Sequence, residues 1–169
     1  MASVLHVVFL IGLSCALWTA VTPLFFSCLG FVLLCFTGCP GGWTQYGTRC
    51  FYFYNYQTEW VDAERNCIAL GANLASFHSH SEYIFLKNLV RAARGSWDRT
   101  WVGGYDAVKE GVWLWSDGSN FNYCQWGSGE PNNQGGAEHC MEINLKGSSE
   151  YVNDEGCSRR SFFICAKNA

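Results

Sequence analysis

The first 48 residues carry no charged side chain, because the first Lys, Arg, Asp or Glu of the chain is Arg49. No Lys or Arg therefore flanks the apolar residues near the N-terminus, and the charges that usually set membrane topology are missing. A basic surface is missing too, since the formal net charge of the whole chain is −3. Nucleic-acid-binding proteins usually show a basic face, so the sequence argues against a nucleic-acid partner.

Catalytic and zinc-ribbon patterns are also lacking. No CxxC pair occurs, which argues against a zinc ribbon. The histidines beyond the N-terminal segment are His78, His80 and His139, and no Ser/His/Asp spacing around them supports a catalytic triad. No internal repeat or low-complexity tract is present. We therefore expect a binding protein and not an enzyme.

Residues 1–38 form a hydrophobic leader made of two apolar runs, 4–18 and 24–36, which Pro23 separates. Neither run reaches the roughly 20 residues that a membrane span needs. The first run has the character of the apolar core of a secretory signal. We expect an atypical signal peptide and a secreted, extracellular protein. An uncleaved leader that anchors the protein in a membrane is the alternative.

The body, residues 39–169, is long enough for one hydrophobic core and too short for two ordinary domains. Three of the ten cysteines lie in the leader and seven in the body. Behind a signal-like segment, that number indicates a disulfide framework formed in an oxidising compartment. Because seven is odd, at least one body cysteine has no internal partner.

Two helices are predicted in the first half of the body. Residues 58–71 have apolar side chains at helical spacing and end at Gly71. Residues 79–94 open with Ser79 and Glu82, the pattern of a capping box. The preceding segment, 39–54, has a turn-rich centre between aromatic residues and is typical of a β-hairpin.

The second half of the body changes character to short strand-like segments separated by glycine-rich and polar loops. These segments are 100–106, 112–119, 140–145 and 161–167. Helices followed by several strands indicate an α+β fold. We expect Trp101, Trp113 and Trp115 to lie in its core and Trp126 to pack rather than stack on a ligand. Arg159 and Arg160 are expected on a solvated turn.

A series of short motifs resembles the C-type lectin domain family over Cys39–Lys167. The motifs are WVGG (101–104), WLWSDGS (113–119), EPN (130–132), EHC (138–140), VND (152–154), Cys157 and FFICAK (162–167). The resemblance implies the C-type lectin-like fold, with two helices, antiparallel sheets and long calcium-binding loops. It also implies a cis Glu130–Pro131 bond and three disulfides, which are Cys39–Cys50, Cys67–Cys165 and Cys140–Cys157. Cys124 is then left over.

The loop GEPNNQGGAEHC (129–140) is rich in oxygen-bearing side chains. Ca²⁺ is a hard cation that takes six to eight oxygen ligands. The predicted calcium ligands, which are also the predicted sugar-binding residues, are Glu130, Asn132, Glu138, Asn153 and Asp154. Their three carboxylates nearly offset the charge of the ion, and without it they would repel one another. The alternative is a glycine-rich surface loop with solvated acids.

The triplet Glu130-Pro131-Asn132 resembles the family's mannose-type motif, which goes with equatorial 3- and 4-hydroxyls in mannose, N-acetylglucosamine and related sugars. The implied partners are mannose-type glycans on cell or microbial surfaces. Two departures stand out: Val152 replaces the usual Trp, and 146–151 is an insert. The family's auxiliary calcium site usually has Asp where this chain has Asn133 and His139, so we expect that site to be absent or weak.

Other readings stay open at this stage. The short form is also similar to fish antifreeze proteins of this family, so ice binding is an alternative function. A calcium-independent protein-binding domain is a third. For Cys124 we predict a disulfide-linked homodimer, against the alternatives of a buried free thiol or a bond to Cys28 or Cys35 of the leader. A dimer would raise the avidity of a weak sugar contact.

Overall fold

A computed structural model of the chain describes residues 38–147 and 150–169. The predicted leader thus falls, but for its last residue, outside the described residues, as do Cys28 and Cys35. Its function as a signal peptide or an anchor stays a prediction. No helix within the described ranges is long and apolar enough to cross a membrane.

Two α-helices, eight β-strands and a short 3-10 helix make up the described part of the body. The helices are α1 (Trp60–Ile68) and α2 (His80–Arg94), and the 3-10 helix is Gln134–Gly136. The strands are β1 (Thr44–Tyr46), β2 (Arg49–Thr58), β3 (Asn73–Leu74), β4 (Thr100–Tyr105), β5 (Leu114–Trp115), β6 (Cys140–Ile143), β7 (Val152–Glu155) and β8 (Ser161–Asn168).

The eight strands form one sheet in the order β1-β2-β8-β4-β6-β7, with β3 added to β8 and β5 to β4. The predicted α+β fold is therefore confirmed. The pairings are antiparallel except that β8 runs parallel to β4, so the sheet is mixed. The C-terminal strand β8 is central, because β2, β3 and β4 all pair with it.

The two predicted helices are present, and their observed ends can be compared with the predicted ones. The Ser79 hydroxyl accepts the N–H of Glu82 (3.2 Å), as a capping box requires. The Glu82 carboxylate reaches one residue further back than expected, to the N–H of His78 (2.5 Å). Helix α2 ends at Arg94, as predicted. Helix α1 ends at Ile68, three residues before Gly71.

The strand predictions were correct in place and less so in length. The hairpin is confirmed, with β1 and β2 joined by a tight turn between Tyr46 and Arg49. The predicted strand 112–119 shrinks to Leu114–Trp115, because Gly111 and Gly118 have positive φ and turn the chain at both sides. Strands β3 and β7 were not predicted. Both are short and lack alternating apolar residues.

The three disulfides that the family resemblance implies are all formed. They are Cys39–Cys50, Cys67–Cys165 and Cys140–Cys157. The last of these links the first residue of β6 to the turn after β7 and so fastens the base of the loop that precedes β6. Cys124 is free and half-buried.

The three tryptophans predicted to lie in the core are confirmed there. Trp101, Trp113 and Trp115 are 0%, 8% and 2% exposed. Trp126 packs edge-on against Trp113, with 4.7 Å between ring centroids, and so extends the core towards the loops. Arg159 and Arg160 are exposed on the turn between β7 and β8.

One buried ion pair fixes β6 and β7 beneath the loops. The Glu142 side chain is 0% exposed, and Arg99 forms two hydrogen bonds with its carboxylate (3.0 and 2.5 Å). Burial raises the pKa of Glu142, and the neighbouring Arg99 opposes that shift. The charged form of this carboxylate therefore depends on its arginine partner.

Replacing Arg99 with Met should destabilise the fold by roughly 3 kcal/mol, because Glu142 would be left buried without its cation. Urea unfolding monitored by circular dichroism measures the change. The matched control is Arg159→Met, which removes a more exposed arginine from the neighbouring Glu155 (2.9 Å). It should cost less than about 1 kcal/mol. Equal effects of the two variants would contradict the assigned role of Arg99.

Candidate functional site

The candidate site is a loop that precedes β6, here called the binding loop and comprising residues 128–139. Asp154, on the neighbouring strand β7, holds it in place. This residue is only 1% exposed, and its two carboxylate oxygens accept the backbone N–H groups of Asn132 (3.0 Å) and Asn133 (2.7 Å). A distant motif in the sequence therefore positions the residues immediately after Pro131.

Glu130 and Asn132 lie side by side at the tip of the binding loop. The peptide bond between Glu130 and Pro131 is cis, as the family resemblance implies. The amide nitrogen of Asn132 donates to the Glu130 carboxylate. One side chain thus presents an acceptor and the other a donor within the same small area.

Tyr151 orients Glu130, and the sequence analysis missed this function. Its hydroxyl lies 2.8 Å from Oε1 of Glu130 and 2.9 Å from the carbonyl oxygen of Ser128. The ring packs on Gly127, where an added Cβ would lie 2.6 Å from ring atoms. The sequence showed Tyr151 only as the end of an insert, and no motif pointed to this contact.

Glu138 closes the other end of the binding loop. Its carboxylate accepts the N–H of Gln134 (2.8 Å), and its own N–H donates to the side-chain oxygen of Asn133 (3.1 Å). Burial raises the pKa of Glu138, and the negative charges of Glu155, Asp154 and Glu130 raise it further. The carboxylates are therefore close enough to repel one another, and a cation would relieve that repulsion.

Asn153 is placed differently from the other predicted ligands. It is 4% exposed, and its amide nitrogen donates to the buried Glu142 on β6 (3.1 Å), the residue directly opposite in the β6–β7 register. Within the described residues it makes no hydrogen bond to the binding loop. Four of the five predicted residues thus belong to one connected network, and Asn153 joins the buried ion pair beneath it.

The donor chemistry of this network fits calcium. Glu130, Glu138 and Asp154 contribute carboxylate oxygens and Asn132 an amide oxygen, which is the ligand type that Ca²⁺ requires. Burial is the main cause of the raised pKa of Glu138, and the nearby carboxylates of Glu155, Asp154 and Glu130 add to it. The network thus offers oxygen atoms of the kind that a divalent cation prefers, with hydrogen-bond donors and acceptors beside them.

A second cluster, formed by Asp106, Glu110 and His139, lies on the other side of Asn133. One ligand atom from each of these residues lies within 4.8 Å of the other two. The amide nitrogen of Asn133 donates to Glu110 (2.5 Å), so Asn133 connects the cluster to the binding loop. The sequence analysis considered His139 only for a catalytic triad and as a departure from a family pattern. The antiparallel pairing of Tyr105 with Cys140, which sets Asp106 beside His139, was the missing signal.

Comparison with known proteins identifies the family of the chain. The Lectin C-type domain family matches residues 56–167. The galactose-specific lectin nattectin of Thalassophryne nattereri is 48% identical over 132 residues, which cover 78% of this chain and 82% of nattectin.

Solved structures of the same family are similar in fold. The type II antifreeze protein of herring has a TM-score of 0.71 at 35% identity, covering 78% of this chain and 99% of that protein. The C-type lectin CEL-I from Cucumaria echinata has a TM-score of 0.72 at 28% identity, covering 76% and 96%. These relatives are lectins and an antifreeze protein, which confirms the expectation that the chain is not an enzyme. The chain belongs to the C-type lectin domain family.

Proposed function

We propose that this protein binds carbohydrate through a calcium ion held by the binding loop. The observation that carries the proposal is the convergence of Glu130, Glu138 and Asp154 at the binding loop, where Asp154 fixes the backbone and the charges of Asp154 and Glu130 add to the effect of burial in raising the pKa of Glu138. The ligands would be Glu130, Asn132, Glu138 and Asp154. Asn153 remains a predicted ligand, and it would have to share its side chain with Glu142.

The bound ion would supply coordination positions for two vicinal sugar hydroxyls. The chain's own residues would select among sugars: Glu130 accepts a hydrogen bond from a hydroxyl, and Asn132 donates one. Tyr151 would keep the Glu130 carboxylate at a fixed angle by its own hydrogen bond. A rigid acceptor and donor recognise hydroxyl geometry better than mobile ones, because less entropy is lost on binding.

We propose mannose-type sugars as the ligand class, on the basis of the EPN triplet at the loop tip. The name of the similar lectin nattectin points the other way, to galactose. A glycan array probed in calcium and again in excess chelator separates the two. Signals for mannose and N-acetylglucosamine that vanish with chelator support the proposal. A galactose preference would overturn the ligand class, and chelator-resistant binding would overturn the calcium mechanism.

Ice binding is a second candidate, which the 35% identity to the herring antifreeze protein favours. It would use a flat, regular and rather apolar surface, not a sugar-binding loop. A thermal-hysteresis assay, carried out on the same sample as the glycan array, distinguishes the two functions. Activity in that assay with a silent array would favour the antifreeze function.

Secretion is proposed for this protein on chemical grounds. Three disulfides in one small domain are typical of an oxidising compartment. Intact mass of the protein collected from culture medium tests both secretion and the fate of the leader. A mass that retains residues 1–38 in a membrane fraction would favour the anchored alternative.

The packing of Cys124 argues against the predicted disulfide-linked dimer. The thiol lies against the main core cluster, and burial raises its pKa to about 12. The thiolate is the species that attacks in disulfide exchange, so a thiol with that pKa reacts slowly at neutral pH. We propose in its place a half-buried free thiol that packs against the core.

In the folded protein, Cys124 should react with Ellman's reagent at pH 8 at least about 100-fold more slowly than in denaturant, where its pKa returns to about 8.5. The sign follows from the raised pKa, which lowers the thiolate fraction at every pH below about 12. Non-reducing gel electrophoresis is the companion measurement. A dimer band that disappears in Cys124→Ser would restore the interchain disulfide.

A further inference from the structure

We propose that Asp106, Glu110 and His139 form a second metal site that takes Zn²⁺ or a similar transition metal, not calcium. The site includes His139, the last residue of the binding loop, and shares none of the proposed calcium ligands. Zinc binding at this site needs neither sugar nor calcium at the loop. The zinc proposal can therefore be tested independently of the proposed function.

The ligand geometry is built by the end of the β4–β6 ladder. Tyr105 pairs with Cys140, so Asp106 and His139 are the next residues on the two strands, and the N–H of Asp106 donates to the carbonyl of His139 (3.2 Å). The imidazole Nδ1 of His139 lies 3.1 Å from Oδ1 of Asp106 and 3.5 Å from Oε2 of Glu110. A zinc tetrahedron with ligands at about 2.0–2.1 Å has edges of roughly 3.3–3.4 Å, which matches both separations.

The donor set does not fit the auxiliary calcium site that the family resemblance implies. Calcium takes oxygen ligands, whereas His139 offers a nitrogen. Asn133 occupies the position where that site usually has Asp, and its amide nitrogen, which cannot bind a cation, points at Glu110. Imidazole combined with carboxylates suits zinc and neighbouring transition metals. The sequence analysis expected the auxiliary calcium site to be absent or weak, and we infer in addition that its residues now suit a different metal.

The negative charge of the two carboxylates also favours a bound cation. Asp106 is 1% exposed, and one of its carboxylate oxygens is held by the N–H of Gly111 (2.8 Å). In the part of the chain that the structure describes, its other carboxylate oxygen lies 3.1 Å from Nδ1 of His139, and no Lys or Arg lies within ion-pair distance. A buried carboxylate without a fixed cation is costly, and a divalent ion would compensate both Asp106 and Glu110.

The site is accessible to solvent, and its protein ligands leave one coordination position of a zinc ion unfilled. The Glu110 side chain is 56% exposed and that of His139 is 32% exposed, so an ion can enter from solvent. Three protein ligands leave the fourth tetrahedral position for water or another small ligand. Glu110 also connects to Asn133, so a bound ion would contact the segment that carries the sugar-binding residues.

The test titrates Zn²⁺ against a chromophoric chelator in millimolar calcium, which keeps the binding loop saturated with its own cation. A second measurement replaces Zn²⁺ with Co²⁺ and records the visible absorption that tetrahedral Co²⁺ with a nitrogen ligand produces. We expect one equivalent of metal in each case. His139→Gln should weaken zinc binding by more than the roughly 10–100-fold that loss of an outer-shell partner costs, because a direct ligand is removed.

Two control variants show whether a loss of zinc affinity is specific to His139. His80→Gln is the matched control, since His80 is a half-exposed histidine paired with Glu150 (3.8 Å), and it should leave zinc affinity unchanged. Cys124→Ala removes the one free body thiol as a competing ligand and should also change nothing. Absence of a one-equivalent zinc signal in the wild type, or equal loss in His139→Gln and His80→Gln, would overturn the proposal.

Discussion

Asp154→Ala should abolish calcium-dependent retention on mannose resin. The carboxylate has two tasks, since it holds the backbone N–H groups of Asn132 and Asn133 and is a proposed ligand of the ion. Each hydrogen bond to a charged group is worth about 1.5–3 kcal/mol, so loss of the two alone corresponds to a weakening of roughly 100-fold or more. The measurement is sugar affinity at saturating calcium, with a parallel calcium titration.

The controls for this result separate folding from binding. Asp62→Ala removes an exposed carboxylate on helix α1 that pairs with Arg65 and has no recorded contact with the binding loop within the described residues, and it should bind sugar like the wild type. Near-ultraviolet circular dichroism establishes that Asp154→Ala is folded. Full binding by a folded Asp154→Ala would contradict the assigned role, and so would wild-type retention that persists in excess EDTA.

The part of the site that the sequence predicted rests on short motifs with unusual chemistry. A proline between Glu130 and Asn132 and a second acidic motif beside a cysteine are visible without any structure. The disulfide between Cys140 and Cys157 then joins the two segments, and the structure confirms this bond. Local composition, together with the disulfide that the family resemblance implied, therefore placed Asp154 at the loop.

The rest depends on contacts between residues that are distant in sequence. Tyr151 reaches Glu130 only because β7 runs antiparallel to β6 and brings the end of the insert beneath the loop. Asn153 was expected at the ion, yet its amide bonds Glu142 because the two residues are opposite one another in the strand register. A register is a property of the pairing, and one sequence does not display it.

The same limit explains the short strands and the free thiol. Strand β7 contains two polar residues between its ends, so its pattern did not indicate a strand, although pairing with β6 buries it. Cys124 was assigned to a dimer by counting cysteines. How exposed a leftover thiol is depends on packing, and here it lies against the core, so the dimer stays a prediction that the gel experiment tests.

The double substitution Glu130→Gln with Asn132→Asp should move the preferred sugar from mannose towards galactose. In the wild type, the Asn132 amide donates to the Glu130 carboxylate. In the double variant, the amide introduced at position 130 can donate to the carboxylate introduced at position 132, so the internal contact persists with donor and acceptor exchanged. The net charge is unchanged, and the new amide oxygen can still accept the hydroxyl of Tyr151.

The exchanged donor and acceptor suit a sugar whose 4-hydroxyl is axial instead of equatorial. The same exchange weakens binding of mannose, because its hydroxyls then face the wrong hydrogen-bonding partners. We expect the ratio of mannose to galactose affinity to fall by about 10-fold or more, equivalent to about 1.4 kcal/mol. The two single variants are the controls. Glu130→Gln places two amides next to each other, and Asn132→Asp places two carboxylates next to each other. Each single variant should therefore lose affinity for mannose and for galactose. A wild type that already prefers galactose on the same array would refute the assignment of ligand type to this triplet.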